Sequence, residues 1–296
     1  RVRVRVRVRV SRVPRLRGLQ GWAVVVALLE VGDDPVERLK FAKHLLAASF
    51  MAAPGAVIIS KIIVPQSEKI ESDVEITQEK IGSNVKKFKI GDKVTSIPFF
   101  TTKYMVHGEV AITPEKYLTH CPNNLIFTES CSIWMQYLTA YYPFVEIAKI
   151  KEGDFVLIGA ASSSAGLGAI DIVKSCGGSV IATTRSSKKM NFLQKCGADE
   201  VINTTEGNLS EKILEFTNGN GVRAVYDPVG NPFYEKYLDA LQMGAIVFHF
   251  GLLSNESIKI DISRHVRKNS YFLPYSMFNY VSEQSSLLRG VDYIAE

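Results

Sequence analysis

A loop of small residues holds the most evident chemistry of the sequence: residues 156–170 read VLIGAASSSAGLGAI. The apolar start predicts a strand, the middle a tight loop and the end the first turns of a helix. Such a helix start favours a phosphate, because its backbone N–H groups and the helix dipole attract an anion. Glycine usually fills these loops, but a serine hydroxyl can donate to a phosphate oxygen or cap the helix. The residues therefore fit a nucleotide-phosphate site and also a serine-capped helix without a ligand.

Gly166 is the position of this loop that most needs to lack a side chain. After it, Leu167, Ile170 and Val173 give the helix a buried face. We expect Gly166→Val to abolish nucleotide binding and to leave most of the fold intact, because a branched side chain would occupy the space of the pyrophosphate. The same change at Gly178, in the turn before the next strand, is expected to lower stability instead.

A second group of polar residues follows the next strand, in VIATTRSSKK at residues 180–189. Where such units bind NAD, an Asp or Glu at this strand end accepts hydrogen bonds from the ribose hydroxyls. Thr184 stands there in this chain, and it is followed by Arg185, Ser186, Lys188 and Lys189. Basic and hydroxyl side chains bind the extra phosphate of NADPH, which a carboxylate would repel, so they predict NADPH rather than NADH. The alternative is a solvated basic helix start, which is unfavourable unless an anion is present.

The surrounding pattern predicts the elements that position these groups. Apolar strands at 179–184, 200–203, 224–227 and 245–250 alternate with helical stretches at 190–196, 210–217 and 232–242. This alternation is typical of a parallel sheet covered by helices on both faces, with ligands at the carboxyl ends of the strands. Short β-rich runs at 92–97 and 109–118 precede an apolar helix at 128–148.

Charge is concentrated at the start of the chain. Eight of the 35 basic residues lie in residues 1–29, which contain no acidic residue. The rest of the chain contains the other 27 basic residues and all 30 acidic residues. The body of the chain is therefore mildly acidic, and a nucleic-acid-binding function loses its main support. The RVRVRVRVRV repeat alternates as a strand would, and its composition is also typical of a disordered extension, an anion-binding arm or a mitochondrial targeting segment. An arginine-armed nucleic-acid binder stays a separate hypothesis.

The cysteines and the hydropathy pattern indicate the compartment. The four cysteines, at 121, 131, 176 and 196, form no CxxC pair, so neither a disulfide framework nor a structural zinc site is expected. Dispersed thiols favour a reducing compartment, and we expect a cytoplasmic protein, with mitochondria as the alternative. The longest uncharged apolar stretch, residues 45–60, is interrupted by Pro54 and Gly55, and no membrane span is predicted.

Residues 82–290 resemble the medium-chain dehydrogenase/reductase superfamily, in its zinc-free, quinone-oxidoreductase-like branch. The segments that carry the resemblance are VKKFKIGDKV, GEVAITPEKYLTHCPNNL, ESCSIWMQYLTAYY, IKEGDFVLIGAASSSAGLGAI, SVIATTRSSKKMNFLQKCGADEVIN, GVRAVYDPVG and GAIVFHFG. In some members an AASSS-type loop replaces the commoner glycine-rich one and cradles the pyrophosphate. Carried over residue by residue, the cofactor contacts implied are Thr139, Ser163, Ser164, Ala165, Gly166, Thr184, Arg185, Ser186, Lys188, Val229, Gly251 and Leu252.

The resemblance implies an α/β fold, namely a doubly wound Rossmann sheet with a partial GroES-like β-rich domain before it. It implies an NADPH-dependent, zinc-free oxidoreductase that transfers hydride to a quinone or an enone-type carbonyl compound. The expected binding partner is a small-molecule substrate, and binding to nucleic acid or to a membrane is not expected. The resemblance is also compatible with a homodimer. No catalytic residue is assigned. Tyr104, Tyr141 and Tyr142 are candidate proton donors, although tyrosines in an apolar helix usually serve packing.

The chain also departs from the family pattern. We expect an unassigned low-complexity extension at 1–65, a partial GroES-like β domain at 66–127, the NADP-binding Rossmann domain at 128–265 and a truncated C-terminal return segment at 266–296. The catalytic-zinc ligands of zinc-dependent relatives have no counterpart, and the five histidines show no ligand spacing, which disfavours a zinc-type alcohol dehydrogenase. The remaining alternative is a non-catalytic NADPH-binding protein or a decayed fragment of such an enzyme.

Overall fold

The structure is a computed structural model that describes residues 2–5, 77–99, 110–254 and 256–296. Most of the extension expected at 1–65 lies outside these residues, as does Tyr104. The chain divides into two units, Arg1–Trp134 and Met135–Glu296. The division therefore falls inside a helix, whereas the boundary expected from the sequence lies at 127/128.

The N-terminal unit contains short antiparallel strands. β1 (Val2–Arg5) lies between β2 (Thr77–Ile81) and β4 (Val110–Thr113), and β3 (Val94–Ser96) pairs with β5 (Leu118–His120). In residues 2–5 the alternating Arg and Val residues form strand β1. A small cluster of Phe88, Val94 and Leu118 is buried beside the second pair.

A six-stranded parallel sheet forms the centre of the second unit and confirms the expected Rossmann fold. Its strands are β6 (Phe155–Ile158), β7 (Ser179–Thr184), β8 (Glu200–Asn203), β9 (Val222–Asp227), β10 (Leu241–His249) and β11 (Tyr271–Pro274). Their order is β11-β10-β9-β6-β7-β8. β6 reads FVLI, and its last three residues are fully buried, as expected for a central strand covered on both faces.

Helices surround this sheet. They are α1 (Phe127–Tyr141), α2 (Ser164–Ser175), α3 (Met190–Lys195), α4 (Leu209–Phe216), α5 (Phe233–Tyr237), α6 (Ile262–Lys268), α7 (Phe278–Val281) and α8 (Gln284–Ala295). The helical stretch expected at 232–242 is shorter in the structure. A 3₁₀ turn at Leu238–Ala240 follows α5, and β10 begins already at Leu241.

The two faces of the sheet have separate apolar cores. One core joins the sheet to α4 and α5, with buried members that include Leu157, Val225, Val247, Ile213 and Tyr234. Successive strand residues point to opposite faces, so Tyr226 and Phe248 point the other way. There the ring of Phe144, in the π-helical turn Tyr142–Ile147 after α1, lies 5.3 Å from Tyr226 and 6.2 Å from Phe248. Both faces are therefore covered.

The C-terminal part of the chain belongs to this sheet. β11 pairs in parallel with β10, from Ile246↔Tyr271 to His249↔Pro274. In α8 a Cβ at Gly290 would lie 2.6 Å from Leu138 of α1, so these two helices approach closely. The sheet does not end where the sequence placed the boundary at 265/266. Among the residues described, no helix combines the length and apolarity needed to cross a lipid bilayer.

Asp199, just before β8, connects the start of β7 and the end of α2 at the amino end of the sheet. Its Oδ2 accepts the Val180 N–H at 2.7 Å, and its Oδ1 accepts the Lys174 Nζ–H at 2.8 Å. The lysine is 41% exposed and the aspartate 33%, so the ion pair is screened by solvent. The backbone hydrogen bond is part-buried and leaves a donor unsatisfied when it is lost.

We therefore expect Asp199→Ala to lower the free energy of unfolding by about 1–3 kcal/mol. Lys174→Ala removes the exposed pair alone and should cost less than about 1 kcal/mol. Urea denaturation of both variants measures the two values. Equal losses would show that the ion pair, and not the Val180 N–H, accounts for the stabilisation.

Candidate functional site

The crevice between β6 and β9 is where this sheet can bind a ligand. These strands are neighbours, and the chain order runs outward from them in both directions. In doubly wound sheets the connections leave such a point on opposite faces, which opens a crevice at the carboxyl ends of the strands. The segments that follow the four inner strands begin at that edge: 159–163 after β6, 185–189 after β7, 228–232 after β9 and 250–254 after β10.

The serine loop after β6 is held by its own backbone. Ala160 has a left-handed φ of 47°, which is unusual for a residue with a side chain. The Ala161 N–H donates to the Thr183 carbonyl at 3.1 Å, which ties the loop to β7. Ser163 is the N-cap of α2, and its Oγ accepts the Gly166 N–H at 3.2 Å. The Ser163 hydroxyl therefore acts as a helix cap.

The first turn of α2 keeps a donor for an anion. The Ala165 N–H has no acceptor within the part of the chain that the structure describes. Ser164 and Ala165 are nearly buried, whereas Ser162 and Ser163 are half-buried. The predicted residues Ser163 to Gly166 are thus together at one helix start, where the helix dipole favours negative charge.

Gly166 lacks a side chain for a reason that the sequence did not reveal. A Cβ at this position would lie 2.5 Å from the Ala161 carbonyl oxygen and 2.6 Å from the Ala161 Cα. The expectation that Gly166→Val leaves the fold intact is therefore wrong, because the new side chain would collide with the backbone of the loop itself. At Gly178 a Cβ would lie 2.7 Å from Ile150 and 2.9 Å from Val173, consistent with the expected loss of stability.

The basic segment after β7 is close to the serine loop. Thr184 is buried, and its Oγ1 accepts the Ser186 N–H at 3.2 Å. Arg185 and Lys188 are exposed, and neither forms an ion pair with an acid of the described residues. Two cations without an ion pair to any described acid thus lie at the strand end where NAD-selective units have an acid.

Lys189 and Ser162 are not among the cofactor contacts that the resemblance implied. The Lys189 Nζ donates to the Ser162 Oγ at 3.1 Å and so bridges the basic segment and the serine loop. The sequence did point to both residues, since Ser162 lies in the serine loop and Lys189 in the basic run after β7. Their contact joins positions 27 residues apart, which neither run indicates by itself.

The segments after β9 and β10 carry the next three predicted residues. Val229 is half-buried, and its N–H donates to Asp227 at 2.7 Å. A Cβ at Gly251 would lie 2.9 Å from the Pro228 carbonyl oxygen, so the two segments approach closely. Leu252 is 82% exposed. These residues therefore lie at the same edge of the sheet as the serine loop.

Thr139 is not joined to the other predicted residues by any hydrogen bond in the described structure. It is 2% exposed in α1, and its hydroxyl bonds to the Met135 carbonyl and lies 3.2 Å from the Met277 sulfur. The candidate donors Tyr141 and Tyr142 are buried as well, with hydroxyls that donate to Glu146 and to the Ser286 carbonyl. Burial raises the pKa of Tyr141 to about 12. Both tyrosines fit a packing role.

No group of three or more His, Cys, Asp or Glu side chains that could hold a metal ion occurs in residues 77–99, 110–254 and 256–296 or in 2–5. The four cysteines are free thiols that differ in exposure, from buried Cys196 to exposed Cys131.

Comparisons with known proteins show which chains this one is similar to. A family model described as zinc-binding dehydrogenase matches residues 165–290. A quinone oxidoreductase of Pseudomonas aeruginosa is 28% identical over 195 residues, which is 66% of this chain and 59% of that protein. Quinone oxidoreductase 1 of Escherichia coli is 30% identical over 210 residues, which is 70% of this chain and 63% of that protein.

A solved structure agrees with these sequence relatives. The crystal structure of Escherichia coli quinone oxidoreductase complexed with NADPH is 28% identical, with a TM-score of 0.68 over 74% of this chain and 67% of that chain. The present chain spans 59–63% of the length of the two curated relatives.

The contact between Gly166 and Ala161 can be tested with a small side chain. We expect Gly166→Ala to lower the free energy of unfolding by about 1–3 kcal/mol and to weaken anion binding, because the loop backbone must shift. Gly178→Ala is the matched control, since it crowds side chains away from the loop and should reduce stability alone. Denaturation and pyrophosphate titration measure both effects. Wild-type stability of Gly166→Ala would contradict the contact.

Proposed function

We propose that this chain, which belongs to the medium-chain dehydrogenase/reductase superfamily and to its quinone-oxidoreductase-like branch, binds NADPH and uses it to reduce a quinone or an enone-type carbonyl compound. The proposal includes a zinc-free reaction, a small-molecule substrate and a cytoplasmic location, and it is compatible with a homodimer. The names of the relatives support the reaction class, and the geometry of the crevice supports the cofactor.

The observation that carries the proposal is the unpaired charge after β7. Arg185 and Lys188 have no carboxylate partner in the described chain, and Lys189 extends toward the serine loop. Thr184 stands where a ribose-binding acid would exclude an extra phosphate. A segment with this composition suits the 2′-phosphate that distinguishes NADPH from NADH.

The serine loop fits the other phosphates of the cofactor. The Ala165 N–H and the dipole of α2 are available to a pyrophosphate, and the Ser162 hydroxyl can exchange Lys189 for a phosphate oxygen. Val229 and Gly251 would line the crevice farther along the carboxyl edge. Thr139 would contribute a buried wall, since its hydroxyl is already engaged within α1.

When NADPH is bound, it supplies hydride to an electron-poor carbon, and the protein supplies orientation and electrostatics. Among the residues of this chain, Arg185 and Lys188 would fix the adenosine end, and the first turn of α2 would fix the pyrophosphate. A quinone or enone accepts hydride without a Lewis acid when a proton follows from water or a side chain. No side chain is assigned that role.

The charge argument predicts a cofactor preference. NADPH should bind about tenfold to a hundredfold more tightly than NADH, since one good Arg–phosphate contact contributes roughly 1.5–3 kcal/mol. Arg185→Ala should remove most of this preference by weakening NADPH alone. Lys195→Ala, which removes an exposed cation at the far end of α3, is the control. Fluorescence titration gives the affinities, and equal wild-type affinities for the two cofactors would contradict the assignment.

The reaction itself can be tested together with the metal. The purified protein should contain substoichiometric zinc, oxidise NADPH in the presence of phenanthrenequinone, and keep that activity after chelator treatment, because catalytic zinc requires three protein ligands. Stoichiometric zinc with loss of activity on chelation would contradict the zinc-free mechanism. NADPH binding without reduction of any quinone or enone would favour the non-catalytic alternative.

A further inference from the structure

We propose that Asp227 is the positioning residue of the crevice: its buried carboxylate fixes the segment 228–230 and, through it, the segments after β6 and β10 that the cofactor would contact. This inference rests on the proposed function, since it concerns the same crevice. It adds a residue that makes no contact with the cofactor itself.

The carboxylate of Asp227 has three donors and no exposure. Its Oδ1 accepts the N–H groups of Val229 at 2.7 Å and Gly230 at 2.9 Å, and its Oδ2 accepts the Tyr237 hydroxyl at 2.8 Å. Asp227 is 0% exposed, so the residue lies beneath the surface of the crevice. Hydrogen bonds to an ionised acceptor are the strong ones, and a buried carboxylate requires them. Tyr237 anchors the acid on α5, and the acid shapes the turn after β9.

That turn is connected to the segment after β10. The Leu253 N–H donates to the Pro228 carbonyl at 3.0 Å, and the Ser254 N–H donates to the Val229 carbonyl at 3.2 Å. Gly251 lies so close to Pro228 that a Cβ would approach its carbonyl oxygen to 2.9 Å. A displacement of 228–230 therefore displaces Gly251 and Leu252 as well.

The same turn also touches the start of the serine loop. The Gly159 N–H donates to the Tyr226 carbonyl at 2.9 Å, and a Cβ at Gly159 would lie 3.1 Å from the Pro228 Cδ. The acid thus lies under a junction of three crevice segments. Burial raises the pKa of the Asp227 carboxyl, and the hydrogen bonds from Gly230, Tyr237 and Val229 offset part of that rise.

A positioning role predicts a pattern that differs from that of a phosphate-binding residue. Loss of the Asp227 acceptors should weaken NADPH and NADH alike, because both share the parts of the cofactor that these segments would contact. The ratio of the two affinities should not change. Arg185→Ala, in contrast, is expected to change the ratio.

The experiment compares four variants by cofactor titration, urea denaturation and amide hydrogen exchange. Asp227→Ala should weaken both cofactors by about tenfold or more and speed exchange at Leu253 and Ser254, since two backbone donors lose their acceptor. Tyr237→Phe, which keeps the carboxylate and loses its anchor, should do the same to a smaller extent. Asp227→Asn should restore most of the binding because its Oδ1 still accepts both N–H groups.

The fourth variant, Asp199→Ala, is the matched control: it also deprives a backbone N–H of its acceptor, but at the amino end of the sheet. It should reduce stability and leave cofactor affinity and exchange at 253–254 unchanged. The inference is overturned if Asp227→Ala and Tyr237→Phe behave as wild type, or if Asp199→Ala weakens binding equally. If the wild type binds neither cofactor, the proposed function fails, and the exchange data still decide whether Asp227 holds these segments.

Discussion

The parallel pairing of β6 with both β7 and β9 is the constraint on which the crevice depends. Backbone hydrogen bonds set Val156 opposite Val180 on one side and opposite Ala224 on the other. All three strands therefore end at one edge, and the segments that follow them begin side by side. The serine loop, the basic segment and the turn at Asp227 meet because of this register, although they are far apart in the sequence. Burial of Val156, Leu157 and Ile158 stabilises the register.

The sequence predicted five of the six strands of the sheet, and it did not predict the contacts at their carboxyl ends. Continuous apolar runs such as SVIATT and EVIN coincide with β7 and β8, since a strand buried on both faces must be apolar throughout. β11 was not predicted as a sixth strand, because Tyr271 is exposed at the sheet edge and the run ends at a proline. Its pattern alone does not distinguish an edge strand from a loop.

The candidate residues show the same limit more sharply. Ser163 to Gly166 belong to the loop whose composition fits a phosphate site, and the resemblance implied them as cofactor contacts; they do lie at one helix start. The reason for Gly166, however, is the Ala161 backbone, which only a three-dimensional loop can bring to 2.5 Å from a Cβ. Thr139 was carried over by resemblance, and its hydroxyl is turned inward to Met135. The residue type indicates which functional group a position can offer, whereas the direction in which that side chain points depends on the packing around it.

The cations after β7, which form no ion pair within the described residues, would also influence how fast an anionic ligand arrives. Arg185 and Lys188 are exposed after β7 and form no ion pair with an acid of the described residues, while the body of the chain is mildly acidic overall. A local positive field on such a surface guides anions during diffusion and raises the rate of productive encounter. Mobile ions screen that field beyond about 8 Å at physiological ionic strength. Salt should therefore slow the association of a phosphorylated ligand far more than it speeds its dissociation. Arg185 and Lys188 would thus act mainly on the association rate constant.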